Sequence, residues 1–185
     1  MPPAVDHIRS VSNAYLDRHP HERDALSTLF NALAAPADPT NRKTYPAHVT
    51  CSAVVIDDNR RVLHVVHRAT GKLLAPGGHM EPDDRDLRAA AVRELHEEAG
   101  ISDDMVAPLT GYEDVPLDID VHPIGANPLK GEPAHYHVDF RWAFLLYPGT
   151  HAVILEKEEV DDYEWRAFAD LASPTVGAKL SLLPW

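Results

Sequence analysis

The chain has 185 residues, 44% of them hydrophobic, which suits one medium domain with extra elements or a domain plus an N-terminal extension. Lys and Arg number 17 against 29 Asp and Glu, a net charge of -12, which argues against a binder of nucleic acid polymers, whose phosphates need clustered cations. Cys51 is the single cysteine, so an internal disulfide framework is excluded and a reducing cytoplasm is expected.

The opening Met1-Pro2-Pro3-Ala4-Val5-Asp6 lacks the basic and apolar regions of a signal peptide. No apolar run approaches the roughly 20 residues that span a bilayer, so a membrane partner is not expected. From Val5 to Ala35 two helices are predicted: Ile8, Val11, Tyr15 and Leu16 recur at helical spacing, as do Leu26, Leu29, Phe30 and Leu33. His19-Pro20-His21 separates them, because the residue before proline is pushed out of helical geometry. Residues 1–45 are therefore read as a helical extension that packs on the main domain or on a partner subunit. A homodimer stays open, since dimers are the commonest oligomers.

The main domain is assigned to residues 46–185. His48 to Ile56 is rich in β-branched residues, and Arg61 to Val66 follows a turn at Asp57-Asp58-Asn59, so the pair reads as a hairpin. Leu73 to Gly78 reads as a short strand entering a glycine loop. Arg85 to Ala99 is a strong helix closed by Gly100. Strands are predicted near Val115–His122, Tyr136–Leu146 and Asp161–Arg166, with a last helix around Ala167–Ala172. One strong helix flanked by strands gives an α/β or α+β class with a mixed sheet.

Residues three and four apart on a helix share a face, so Glu94, Glu97 and Glu98 project together. Three close carboxylates repel one another, and a hard divalent cation such as magnesium resolves the conflict while keeping waters for substrate phosphates. The bare backbone of Gly77-Gly78 can approach closely and lend a carbonyl to that cation. A solvated acidic helix face is the competing reading of the glutamates alone. His96-Glu97 is not a zinc-protease motif, because the second histidine that motif requires would fall at Gly100.

These residues carry a resemblance. Arg93-Glu94-Leu95-His96-Glu97-Glu98-Ala99-Gly100-Ile101 matches the last nine positions of the Nudix box, G-x5-E-x7-R-E-U-x-E-E-x-G-U, and the stretch from Pro76 to Pro82 is similar to the family's opening. The segments between them depart from it. Asp84 stands at the first acidic position, and eight residues rather than seven separate it from Arg93. The acid that would pair with Arg93 is Asp84, Asp83 or Asp86.

The resemblance implies a β-sheet sandwiched between helices and a hydrolase that cuts a diphosphate linkage in a nucleoside diphosphate derivative or similar metabolite. It implies magnesium or manganese held by Glu94, Glu97 and Glu98, with the Gly77 carbonyl as a further ligand and Arg93 as part of the catalytic machinery. The general base would come from a later loop, with Glu156, Glu158 and Glu159 as candidates. A non-catalytic sensing or regulatory domain is the alternative, although such domains usually lose box glutamates and this chain keeps all three. An isoprenoid diphosphate isomerase on the same fold departs further from the box and uses a catalytic cysteine, whereas Cys51 reads as a small buried strand residue.

A second constellation lies downstream. Alternation along the strand from His135 puts His135, His137, Asp139 and Arg141 on one face and Tyr136, Val138, Phe140 and Trp142 on the other. The polar face could bind substrate together with His79 and His122. It could instead hold a transition metal with His122, since imidazole suits zinc, nickel or iron, or simply form a hydrogen-bonded face that shapes the sheet. The Gly-Gly-His-x-Glu-Pro box combined with downstream Asp-x-His-Pro and His-x-His-x-Asp patterns resembles one Nudix subgroup, and that resemblance brings no substrate with it.

Overall fold

The computed structural model describes residues 5–68, 71–149 and 153–185. Of the opening segment read for targeting signals, Met1 to Ala4 lie outside the described residues. Two helices come first, α1 (Val5–Arg18) and α2 (Ser27–Ala34), separated by a short 3-10 turn at Pro20–Glu22. Strands β1 (Ala47–Ile56), β2 (Arg61–His67), β3 (Lys72–Leu74) and β4 (Gly77–His79) lead to helix α3 (Leu87–Ala99). Then follow β5 (Val106–Pro108), β6 (Asp118–Ile124), β7 (His135–Leu146), β8 (Val160–Ala167) and helix α4 (Pro174–Ser181).

The strands form one mixed sheet around β1 and β7, which run parallel from Ala47↔Tyr136 to Ile56↔Leu145. The other edge of β1 is shared by β4, paired at Thr50–Ser52, and β2, paired at Ile56. The other edge of β7 is shared by β6 and β5. Both faces of β1 are covered, so all of its residues are buried.

Alternation then separates the two faces. Val49, Cys51, Ala53 and Val55 of β1 join Val138, Phe140, Trp142 and Phe144 of β7 in one apolar cluster, which α1, α2 and α3 complete. On the opposite side Val54, Ile56, Val62 and Ala143 pack against Val176 and Leu180 of α4. The N-terminal helices therefore lie on this chain's own sheet: Tyr15, Leu26 and Leu29 are fully buried in the larger cluster. Lys179 Nζ fastens the arrangement, meeting Tyr15 Oη at 2.6 Å, Glu22 at 2.9 Å and Asp118 at 2.6 Å.

Several boundaries differ from the sequence reading for local reasons. Helix α3 starts at Leu87 rather than Arg85, because the Asp86 carboxylate accepts the Ala89 N–H at 2.7 Å and caps the first turn. Residues Phe168–Asp170 form only a 3-10 turn, and the last helix lies later, at α4. Pro174 occupies the first turn of α4, where a missing N–H costs little, and Gly177 lets the helix approach the Phe168 carbonyl closely. The strand expected at Val115–His122 begins at Asp118 and runs on to Ile124. Among the described residues no helix is long and apolar enough to cross a membrane.

Candidate metal and substrate cleft

One cleft of about 1350 Å³ collects most of the residues to which the sequence reading gave chemistry. Glu94, Glu97 and Glu98 line one wall with Gly77, Gly78 and His79, while His122, His135, His137, Asp139 and Arg141 line another.

The glutamate wall is built by the register of α3. Glu94 and Glu98 fall on the same stripe as Leu87, Ala91 and Leu95 and are buried, whereas Glu97 is half-exposed. Gly100, at φ 67°, closes the helix in the left-handed region, with its N–H on the His96 carbonyl at 2.9 Å. Strand β4 lies close above the stripe. The Gly77 N–H donates to Glu98 Oε2 at 3.1 Å, and a Cβ on Gly78 would come within 2.7 Å of Glu94 Cδ. The second glycine therefore leaves the space in which the Glu94 carboxylate sits.

Arg93 ties loop and helix together. It donates to Asp84 at 3.1 Å from both Nε and Nη2, to the His79 carbonyl at 2.8 Å, to Glu94 at 3.0 Å and to Glu97 at 2.7 Å. Burial opposes its charge, but Asp84 and Glu94 outweigh burial and hold the guanidinium firmly protonated. Asp84 is thus the arginine's partner and Asp86 is a helix cap. The buried Asp84 also accepts the Glu81 N–H at 2.7 Å, which shapes the loop that carries the extra residue. Through these bonds Arg93 bridges the glycine strand, the loop and the helix.

Burial raises the carboxyl pKa of Glu94 and of Glu98 to about 7 each, and their acidic neighbours Glu97 and Glu159 add to it. Two buried carboxylates beside a glycine strand form an oxygen donor set that fits a hard divalent cation. Of the three proposed bases, Glu158 and Glu159 line the cleft. Glu156 is not among the lining residues, and its N–H donates to the Glu98 carbonyl at 3.4 Å.

The floor of the cleft is a closed ionic network. Arg141 reaches Asp139 at 3.0 Å, Asp118 at 3.0 Å, Asp120 at 2.8 Å and the Ser173 hydroxyl at 2.9 Å. Asp139 in turn accepts the Ser52 hydroxyl at 2.8 Å. The hydrogen-bonding capacity of Asp139 and Arg141 is directed at protein partners.

The histidine face gains a member that the sequence reading did not single out. His48 of β1 sits opposite His137 in the parallel register, and its ring lies 4.8 Å from those of His135 and His137. His79 approaches both His48 and His137 at 5.1 Å. Burial, followed by neighbouring cationic groups and imidazoles, lowers His79 to about 4 and His137 to about 3, so both rings are neutral at pH 7. His122 stands opposite His137 in the pairing of β6 with β7: its ring is 5.6 Å from that of His137, and its Nδ1 is 2.9 Å from Asp120.

Set beside known proteins, the fold has clear relatives. The family model described as NUDIX domain matches residues 46–185, and the chain belongs to that family. A NUDIX-family hydrolase from Clostridium perfringens superposes with a TM-score of 0.54 at 20% identity, covering 74% of this chain and 98% of that one. A binary complex of the C. elegans Ap4A hydrolase superposes at 0.53 with 19% identity, covering 72% and 94%. Both likenesses are of fold. No curated protein matches the sequence.

Proposed function

We propose that this chain is a metal-dependent hydrolase that cleaves a diphosphate linkage in a nucleoside diphosphate derivative or a similar small metabolite. The observation that carries the reading is the pair Glu94 and Glu98, buried side by side against the Gly77-Gly78 strand in the wall of a large cleft. Burial disfavours their charge, so they serve the fold poorly and a cation well.

Glu94, Glu97 and Glu98 would hold magnesium or manganese, with the Gly77 carbonyl as a further ligand. When bound, the ion neutralises phosphate charge and acidifies a water. Arg93 and Asp84 keep the glycine strand and the carboxylate helix in fixed relation, so that the donor set is preorganised. Glu159, at the cleft and close enough to raise the pKa of both buried glutamates, is our choice of general base; it would take the proton of the attacking water. Arg42, Arg68 and Lys130 line the same cleft and supply positive charge for phosphate groups. His79 and His122 offer ring edges to the rest of the substrate. All three box glutamates are present, which favours catalysis over a sensing role.

The test compares wild-type protein with Glu97→Gln and Glu159→Gln across a panel of nucleoside diphosphate derivatives in magnesium or manganese. The proposal expects turnover in the wild type and a fall of at least about 100-fold in Glu97→Gln. Equal turnover in wild type and Glu97→Gln would remove the glutamates from the reaction.

A further inference from the structure

The three imidazoles His48, His135 and His137 have no role in the hydrolytic reading, yet they converge. Each offers a ring nitrogen, and these atoms lie within 4.8 Å of one another. The surrounding hydrogen bonds select which nitrogen is free. His48 Nδ1 is 3.2 Å from the Thr44 carbonyl, and His135 Nδ1 is 2.8 Å from the Pro133 carbonyl. A carbonyl can only accept, so each Nδ1 carries the hydrogen and each Nε2 keeps its lone pair. His48 Nε2 is buried and has no hydrogen-bond partner among the described residues. A backbone carbonyl that fixes the tautomer of a histidine is the usual outer support of a metal-ligating imidazole.

We propose that His48, His135 and His137 form a second metal site, distinct from the glutamate site, that takes one divalent transition-metal ion of the zinc class. Nitrogen donors favour such an ion over magnesium, just as the all-oxygen glutamate set favours the reverse. Zinc–nitrogen bonds of about 2.0–2.1 Å need ligand atoms roughly 3.4 Å apart, so the rings draw together on binding from a spacing of at most 4.8 Å. All three side chains line the cleft, so a fourth position is open to water, to substrate or to the neighbouring His79. The tripod is set by tertiary structure: β1 and β7 place His48 and His137 side by side, and His135 follows two residues earlier on the same face of β7.

The proposal is independent of the hydrolase reading, and its test is binding rather than turnover. Chelator-treated full-length protein is titrated with cobalt(II) alone and followed by visible absorption, then challenged with zinc. The same titration is run on the Glu94→Gln/Glu97→Gln/Glu98→Gln variant, on His135→Ala and on His137→Ala, with circular dichroism to verify folding. The expected result is the intense band of a low-coordinate nitrogen site, saturating at one cobalt per chain and displaced by one zinc. That band persists in the glutamate variant and is lost in each folded histidine variant. Absence of the band in the wild type would overturn the proposal, whether or not the histidine variants fold. So would a band that disappears with the glutamates and survives loss of the histidines. Magnesium-dependent turnover, expected under the hydrolase reading in either case, separates failure of this proposal from failure of that one.

Discussion

Removing the charge of Glu94 and Glu98 together should stabilise the metal-free protein at neutral pH, by an amount that grows with pH. Each carboxyl moves from an ordinary 4.5 to about 7 on folding. The folded state therefore holds protons that the unfolded chain has already released, and the stability it contributes falls as pH rises from about 4.5 to about 7. At about 1.4 kcal/mol per unit, each group accounts for about 3 kcal/mol, and because burial leads in both, about 3 kcal/mol is the least the pair contributes.

Histidines work the other way. His48, His79 and His137 have lowered pKa values in the folded protein, so they add stability as pH rises towards 6.5. The glutamate contribution must therefore be read as a difference between proteins. In chelator, urea unfolding of wild type and of Glu94→Gln/Glu98→Gln is compared at half-unit steps from pH 4.5 to 8. The variant should gain at least about 3 kcal/mol on the wild type over that range. Manganese should close the gap at pH 8 by stabilising only the wild type. A difference that stays constant with pH would refute the assignment of these carboxylates as buried, proton-holding metal ligands.

Other consequences are sharp enough to check. Gly78→Ala puts a methyl group within 2.7 Å of Glu94 Cδ, so manganese affinity by calorimetry should fall at least about 10-fold while the fold persists. Asp84→Ala takes from Arg93 two of its hydrogen bonds and from the Glu81 N–H its acceptor, and should cost about 3 kcal/mol in urea unfolding. Lys179→Met removes the cation between Glu22 and the buried Asp118, and should cost a similar amount, about 3 kcal/mol, with amide exchange accelerated first in α1.

Much of this site was legible in the chain because its parts are local. Glu94, Glu97 and Glu98 share one helix, so helical periodicity alone brings them together. Gly100 ends that helix by a conformation few other residues adopt. The alternation His135, His137, Asp139, Arg141 needs only one strand. What escaped depends on contacts between distant segments. His48 is one polar residue in a β-branched run, and its meaning comes from a parallel pairing 89 positions away, His48↔His137, which no local period encodes. His122 joins that face through another pairing between segments, His122↔His137, with Asp120 beside its Nδ1. The partner of Arg93 was open among three aspartates until the fold showed Asp84 buried and Asp86 capping. Helix α4 was hidden by Pro174 and Gly177, residues that usually mark loops but here fit a first turn and a close helix approach.

The most direct measurement of the central claim is phosphate release from a broad diphosphate panel by chelator-treated protein, with a coupled phosphatase, before and after magnesium or manganese is restored. The account predicts no turnover without metal and turnover of at least one compound class once metal returns. Turnover that persists in excess chelator, or a panel left intact by protein shown to bind manganese at the glutamates, would contradict it.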